Sequence, residues 1–129
     1  MSVWTTAMGI AEPDVLVRAH ARIAIELGLE PKASETALRI ALREADHLSD
    51  DVFDVPGALL FVLGRTPRCF AAFRAMSVLV VLWHAKTLGF KLETSPAELG
   101  EMLLRVARRD APYEDVRAWV AQRLLPFGG

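Results

Sequence analysis

Three imidazoles and one thiol, His20, His47, His84 and Cys69, are the first side chains to weigh for holding a metal, carrying a proton near neutral pH or attacking a carbon. The histidines fall on different stretches, and none belongs to an HExxH pair, a nucleophile elbow or a glycine-rich phosphate loop. His84 lies in the longest apolar run, AMSVLVVLWHA at 75–85, where an imidazole is expected to be a hydrogen-bonded core residue rather than a ligand. His47 with Asp46, Asp50 and Asp51 has the donor types for a cation, but a solvated acidic loop accounts for the same residues more simply. Cys69 follows Arg65 and Arg68, whose charges would lower a thiol pKa. No base is placed beside it by the sequence, so it reads as a buried structural thiol. No metal and no cofactor is expected.

The elements that must position these groups are helical. A first helix is expected from Pro13 to a stop at Gly28, with Val15, Leu16, Ala19, Ile23 and Leu27 as its buried stripe. Ser34 caps a second, whose apolar face is Leu38, Ala41, Leu42 and Ala45 and whose wet face is Arg39, Arg43 and Glu44. Residues 46–54, DHLSDDVFD, read as an acidic turn, after which Pro56 opens a short apolar helix that Gly64 can terminate. The greasiest helix is expected at about 69–88, closed by Gly89; apolar residues all round 78–83 mark it as central, buried by neighbours on every side. A short extended stretch at 90–94 precedes Ser95-Pro96-Ala97-Glu98, a complete capping box whose helix buries Leu99, Met102, Leu103 and Val106. A last helix opens near Pro112 with Val116, Trp119, Val120 and Leu124 inward, and Pro126 stops it.

The 129 residues allow one domain and no second. Against 15 basic residues stand 16 acidic ones, a net charge of −1, which disfavours direct binding of nucleic acid. Hydrophobic residues make up 53% and mean hydropathy is +0.28, which excludes disorder and leaves a small surplus of apolar surface. The longest apolar run falls well short of the roughly 20 residues that span a bilayer. No membrane association is expected, and a lone cysteine makes the cytoplasm the default compartment. The expected fold is all-α: a compact bundle of about six helices around one buried central helix.

A short apolar helix, a loop, a long helix ending in glycine, an S-P-x-[DE]-L helix start and a final amphipathic helix resemble the Fic/Doc family, and most of all its small death-on-curing toxins. His20 followed by Gly28, then Leu88-Gly89-Phe90, and Thr94-Ser95-Pro96-Ala97-Glu98-Leu99 carry the likeness, which covers roughly residues 15–125. The family's chemistry sits in a motif reading approximately H-P-F-x-x-[AG]-N-[KG]-R, whose histidine is the general base and whose later residues cradle nucleotide phosphates. The matching stretch here begins Pro67-Arg68-Cys69-Phe70-Ala71-Ala72-Phe73-Arg74. Pro67 stands at the histidine position, Ala71 at the acidic metal-holding position and Phe73 at the asparagine position, and only Arg74 is basic near the end. No histidine lies between His47 and His84, so a shifted alignment restores no base from this stretch. The resemblance therefore implies a Doc-like scaffold without the transfer reaction, working in a toxin-antitoxin system with a cognate antitoxin or adaptor as partner.

The end of the chain offers a way to act without chemistry. Gln122-Arg123-Leu124-Leu125-Pro126-Phe127 looks like the hexapeptide, roughly Q-L-x-L-x-[LF], with which proteins reach the bacterial DNA sliding clamp. Gln122 would be the polar anchor and Leu125 and Phe127 the apolar plugs, with Leu124 between them and Pro126 holding the segment extended. Arg123 departs from the pattern. Residues 122–129 are expected to be an exposed tail on a single domain of 1–129, blocking replication by occupying the clamp. Two other readings stay open. One is a Fic/Doc-type phosphotransferase or AMP-transferase with an altered site, in which Arg65, Arg68 and Arg74 grip ATP phosphates. The other is a non-enzymatic antitoxin or adaptor whose contact face is the surplus apolar surface.

Overall fold

The computed structural model describes residues 9–126. Its first helix, α1 (Pro13–Glu26), starts on a proline that has no N–H to leave unpaired and buries Leu16, His20 and Ala24. Its end is a Schellman turn: Gly28, at φ +68°, donates to the Ile25 carbonyl at 3.2 Å, and Leu29 donates to Ala24 at 2.8 Å. Leu27 falls outside the expected stripe at 60% exposure, because the turn carries it off the packed face. The second helix, α2 (Glu35–Leu48), is capped by Ser34, whose hydroxyl accepts from the Ala37 N–H at 3.1 Å. It buries Leu38, Ala41, Leu42 and Ala45 as expected. It also runs through His47 to Leu48, so the acidic turn is shorter than 46–54; a single 3-10 turn at Val52–Asp54 completes the connection.

Helix α3 (Val55–Arg65) is the hub of the bundle, packing on α2 and on the three helices that follow it in the chain. The hub is therefore not the 78–83 helix. In α4 (Phe73–Thr87) Leu79 and Trp83 are 42% and 41% exposed, so one side of that helix faces outward. Both helices are apolar all round in sequence, and only the packing separates them. Gly64 does not end α3 but lies inside it, where α5 (Pro96–Ala107) comes so close that a Cβ would stand 2.7 Å from Val106 Cγ1. Between α3 and α4, a 3-10 turn at Pro67–Cys69 and a bridge from Phe70 to Ala33 replace the first expected turn of α4. Gly89, at φ +89°, ends α4.

The capping box of α5 is present in both directions: Ser95 Oγ accepts from Glu98 N–H at 3.1 Å and Glu98 Oε1 accepts from Ser95 N–H at 3.2 Å. Leu99, Met102, Leu103 and Val106 are buried. Helix α6 (Tyr113–Ala121) buries Val116 and Val120. The chain then returns as β2 (Leu124–Pro126), antiparallel to β1 (Phe90–Leu92), with Leu92 opposite Leu124, Lys91 opposite Leu125 and Phe90 opposite Pro126. Among the described residues the fold is thus all-α with one two-stranded ribbon. No helix among the described residues is long and apolar enough to cross a membrane.

Candidate functional site

Two regions singled out by the sequence need to be located: the stretch Pro67 to Arg74, and the end of the chain from Gln122. The first is a surface turn with a buried underside. Pro67, Arg68, Ala71 and Arg74 are exposed, Phe73 is half-buried, and Cys69 and Phe70 point into the core at 1% and 2% exposure. The turn is fastened to the start of α2, where Ser34 N–H donates to Cys69 O at 2.9 Å and Ala71 N–H donates to Lys32 O at 2.9 Å. Burial pushes the Cys69 thiol up to about 11, and the opposing charge of Arg68 does not reverse this. The thiol is a core group, held protonated by its burial.

The fold brings a histidine to this turn that the sequence order concealed. His20, on α1, is fully buried beside Phe70, ring centroids 5.1 Å apart, and its Nε2 accepts from the Ala72 N–H at 3.3 Å. Ala72 is the N-cap of α4 and has no capping side chain; His20 serves the N-cap's own backbone donor, which in a capping box is served by the side chain three residues on. Desolvation lowers the pKa of His20, while the Pro31 carbonyl acts weakly in the other direction. The His20 nitrogen facing the turn is occupied in holding α4.

The three arginines considered for phosphate binding do not converge. Arg68 lines a shallow hollow with Lys32, Pro67 and Ala71. Arg74 lies across α5, its Nε 2.5 Å from where a Cβ on Gly100 would stand, and borders a different groove with Leu79 and Pro96. Arg65 sits over the Phe61 ring at 5.4 Å. Among the described residues no group of three or more His, Cys, Asp or Glu side chains could hold a metal. Around His47, Asp51 instead caps Phe53 at 2.9 Å and Asp54 accepts from Asp50 N–H at 3.0 Å. Asp54, which the sequence did not single out, is buried and accepts from Arg117 Nε at 2.9 Å. Burial raises its carboxyl pKa, but the Arg117 guanidinium and the Asp50 amide outweigh that and hold it below the usual range. His84 is the satisfied core histidine expected: Nδ1–H donates to Val80 O at 2.7 Å and Nε2 accepts from Ala11 N–H at 3.0 Å.

At the end of the chain, the residues of the expected exposed tail that are described form the end of α6 and the strand β2. Gln122 is the C-cap of α6 with helical φ −66° and ψ −16°, and its side chain is exposed. Arg123 N–H donates to Val120 O at 2.9 Å, and the Arg123 guanidinium stacks 4.1 Å over the Trp119 ring while donating to the Trp119 carbonyl. Arg123 O accepts from Glu93 N–H at 2.7 Å, the first rung leading into β2. Strand alternation then turns Leu124 toward buried Leu92 and the core, and leaves Leu125 outward at 40% exposure beside Lys91. Leu124, half-buried against the core, helps tie the segment down. Phe127, with the rest of 127–129, lies outside the described residues.

No protein-family model matches the chain, and no similar curated protein or solved structure is found. The likeness to Fic/Doc proteins accordingly rests on the residues quoted for it.

Proposed function

We propose that this chain is a non-catalytic, Doc-like toxin of a toxin-antitoxin system that acts by occupying a partner protein with residues 122–127, the partner being the bacterial DNA sliding clamp. The observation carrying the proposal is the exposure of Gln122 and Leu125 at the edge of the fold, the two described residues assigned as polar anchor and apolar plug. A few anchors of this kind dominate peptide affinities. Polymerase and loader subunits that use the same pocket would be displaced. The degenerate stretch at 67–74 supports a role without chemistry: its exposed side chains include neither an acid nor a histidine, and its one nearby imidazole is engaged by Ala72. The cognate antitoxin or adaptor would restrain this binding.

The test is direct binding of the purified chain to purified sliding clamp, with Gln122→Ala/Phe127→Ala as the control. Binding by the wild type that falls at least about tenfold in the variant, with an unchanged helical circular-dichroism spectrum, is the expected result. Equal binding by both proteins, or none by either, overturns the reading.

A further inference from the structure

The conformation of residues 122–126 is not that of a peptide lying in a cleft. A linear hexapeptide presents its anchors along one extended backbone, whereas here Gln122 is helical, Arg123 is turned back onto α6, and only Leu124–Pro126 are extended. One edge of that strand is already occupied by β1. Leu124 is committed to the core and Arg123 to Trp119. Three separate contacts, from the ladder, the half-buried Leu124 packed on the core and the stacked guanidinium, hold the segment in one closed arrangement.

We propose that β2 is a latch, so that the segment reaches a partner only after it strips from β1 and the last turn of α6 extends. This rests on the reading of 122–127 as the partner-binding peptide, and adds to it a closed state that weakens binding. Apparent affinity is the intrinsic affinity scaled by the fraction of molecules that are open. The latch is built to be broken locally. Its strands are three residues each, shorter than an independently stable hairpin, and neither Lys91 nor Leu125 is buried. An antitoxin or adaptor that grips the closed ribbon would hold the peptide shut without covering it.

The register supplies a clean lock. Because Glu93 and Arg123 form a hydrogen-bonded pair, alternation along an antiparallel ladder makes Phe90 and Pro126 a non-hydrogen-bonded one. A proline without an N–H is tolerated there, and the Cα atoms of such pairs stand about 4.5 Å apart, within disulfide range. The hydrogen-bonded pair Glu93 and Arg123, its Cα atoms about 5.5 Å apart, is within the same range, so Glu93→Cys/Arg123→Cys can be closed by oxidation and reopened by a reductant while Gln122, Leu124, Leu125, Pro126 and Phe127 stay intact. Lys91→Pro removes a ladder donor from an exposed position and should favour the open state. Clamp binding is expected to fall at least tenfold in the oxidised double-cysteine protein, to return on reduction, and to strengthen severalfold in Lys91→Pro. Equal binding by the oxidised and reduced forms overturns the latch and leaves the clamp reading standing. No binding by the wild type or the reduced protein overturns the clamp reading and the latch with it.

Discussion

His84 Nε2 accepts the backbone N–H of Ala11 at 3.0 Å, tying the entry of α1 to the far end of α4. The tie has a counterpart at the other end of the pair, where His20 of α1 accepts from Ala72 at the start of α4. The two helices are antiparallel, and each provides the imidazole that serves a backbone donor beside the other's first turn. Both rings must be neutral to accept.

Protonation therefore opposes folding. Burial takes His84 down to about 4, and His20 shifts in the same direction. In the unfolded chain both titrate near 6.5, so the stabilisation is complete above that pH and is lost as pH falls from 6.5 through the folded pKa. For His84 the loss is on the order of 3 kcal/mol by pH 4. Chemical denaturation at pH 7, 6, 5 and 4 should show stability falling over this interval, with a shallower fall in His84→Gln. A wild-type stability that stays flat from pH 7 to 4 refutes the assignment.

The approach of α5 to α3 predicts a steric cost at Gly64. A methyl there would press on Val106 and on the Leu103 carbonyl at 3.2 Å, so Gly64→Ala should lose about 1–3 kcal/mol. Gly57, in the same helix, has 3.4 Å to the Arg117 Cα, and its alanine variant should be near neutral because gained helix propensity offsets the contact. Val106→Ala should partly relieve Gly64→Ala, with a coupling of at least about 0.5 kcal/mol in a urea double-mutant cycle. Strict additivity would place the strain elsewhere.

What was legible in the sequence was local. Ser34 and the Ser95–Glu98 box cap their helices from three residues away, and the stripes of α2 and α5 repeat every three to four positions, so their buried residues follow from spacing. The centre of the bundle did not follow, because α3 and α4 are both apolar on all sides and periodicity cannot say which one is surrounded. Leu79 and Trp83 are exposed for lack of a neighbour, which the sequence does not encode locally. The same limit hid His20 at the Phe70 turn, 52 residues from Ala72, and the Asp54–Arg117 pair, 63 residues apart. In β2, three residues are too few for alternation to register, and it is Leu92 that draws Leu124 inward.

Arg109 marks an avoidable strain. It follows the C-cap of α5 at φ +64°, with its N–H on Val106 O at 2.9 Å and Asp110 N–H on Arg105 O at 2.9 Å, the pattern that glycine fills at the end of α1. A side chain in the left-handed region costs about 1–2 kcal/mol, partly offset by the extra freedom glycine gains when unfolded. Arg109→Gly should therefore raise stability by about 0.5–1 kcal/mol in thermal or urea unfolding. A loss would mean that the arginine side chain makes a contact worth more than its backbone strain.

Cys69 should report opening of the Phe70 turn. Its thiol is 1% exposed, and a pKa raised from 9.0 to about 11 leaves roughly a hundredfold less thiolate at pH 8 than the ordinary value would. Both factors multiply, so the native protein should react with a disulfide reagent only through molecules in which the turn has lifted off Lys32 and Ser34. Substituting His20 by Phe removes the acceptor for Ala72 and should accelerate that reaction more than it lowers global stability, since the lost bond belongs to the turn and the start of α4. Reaction of the folded wild type at the rate of a free thiol would show that the turn does not shield Cys69 at all.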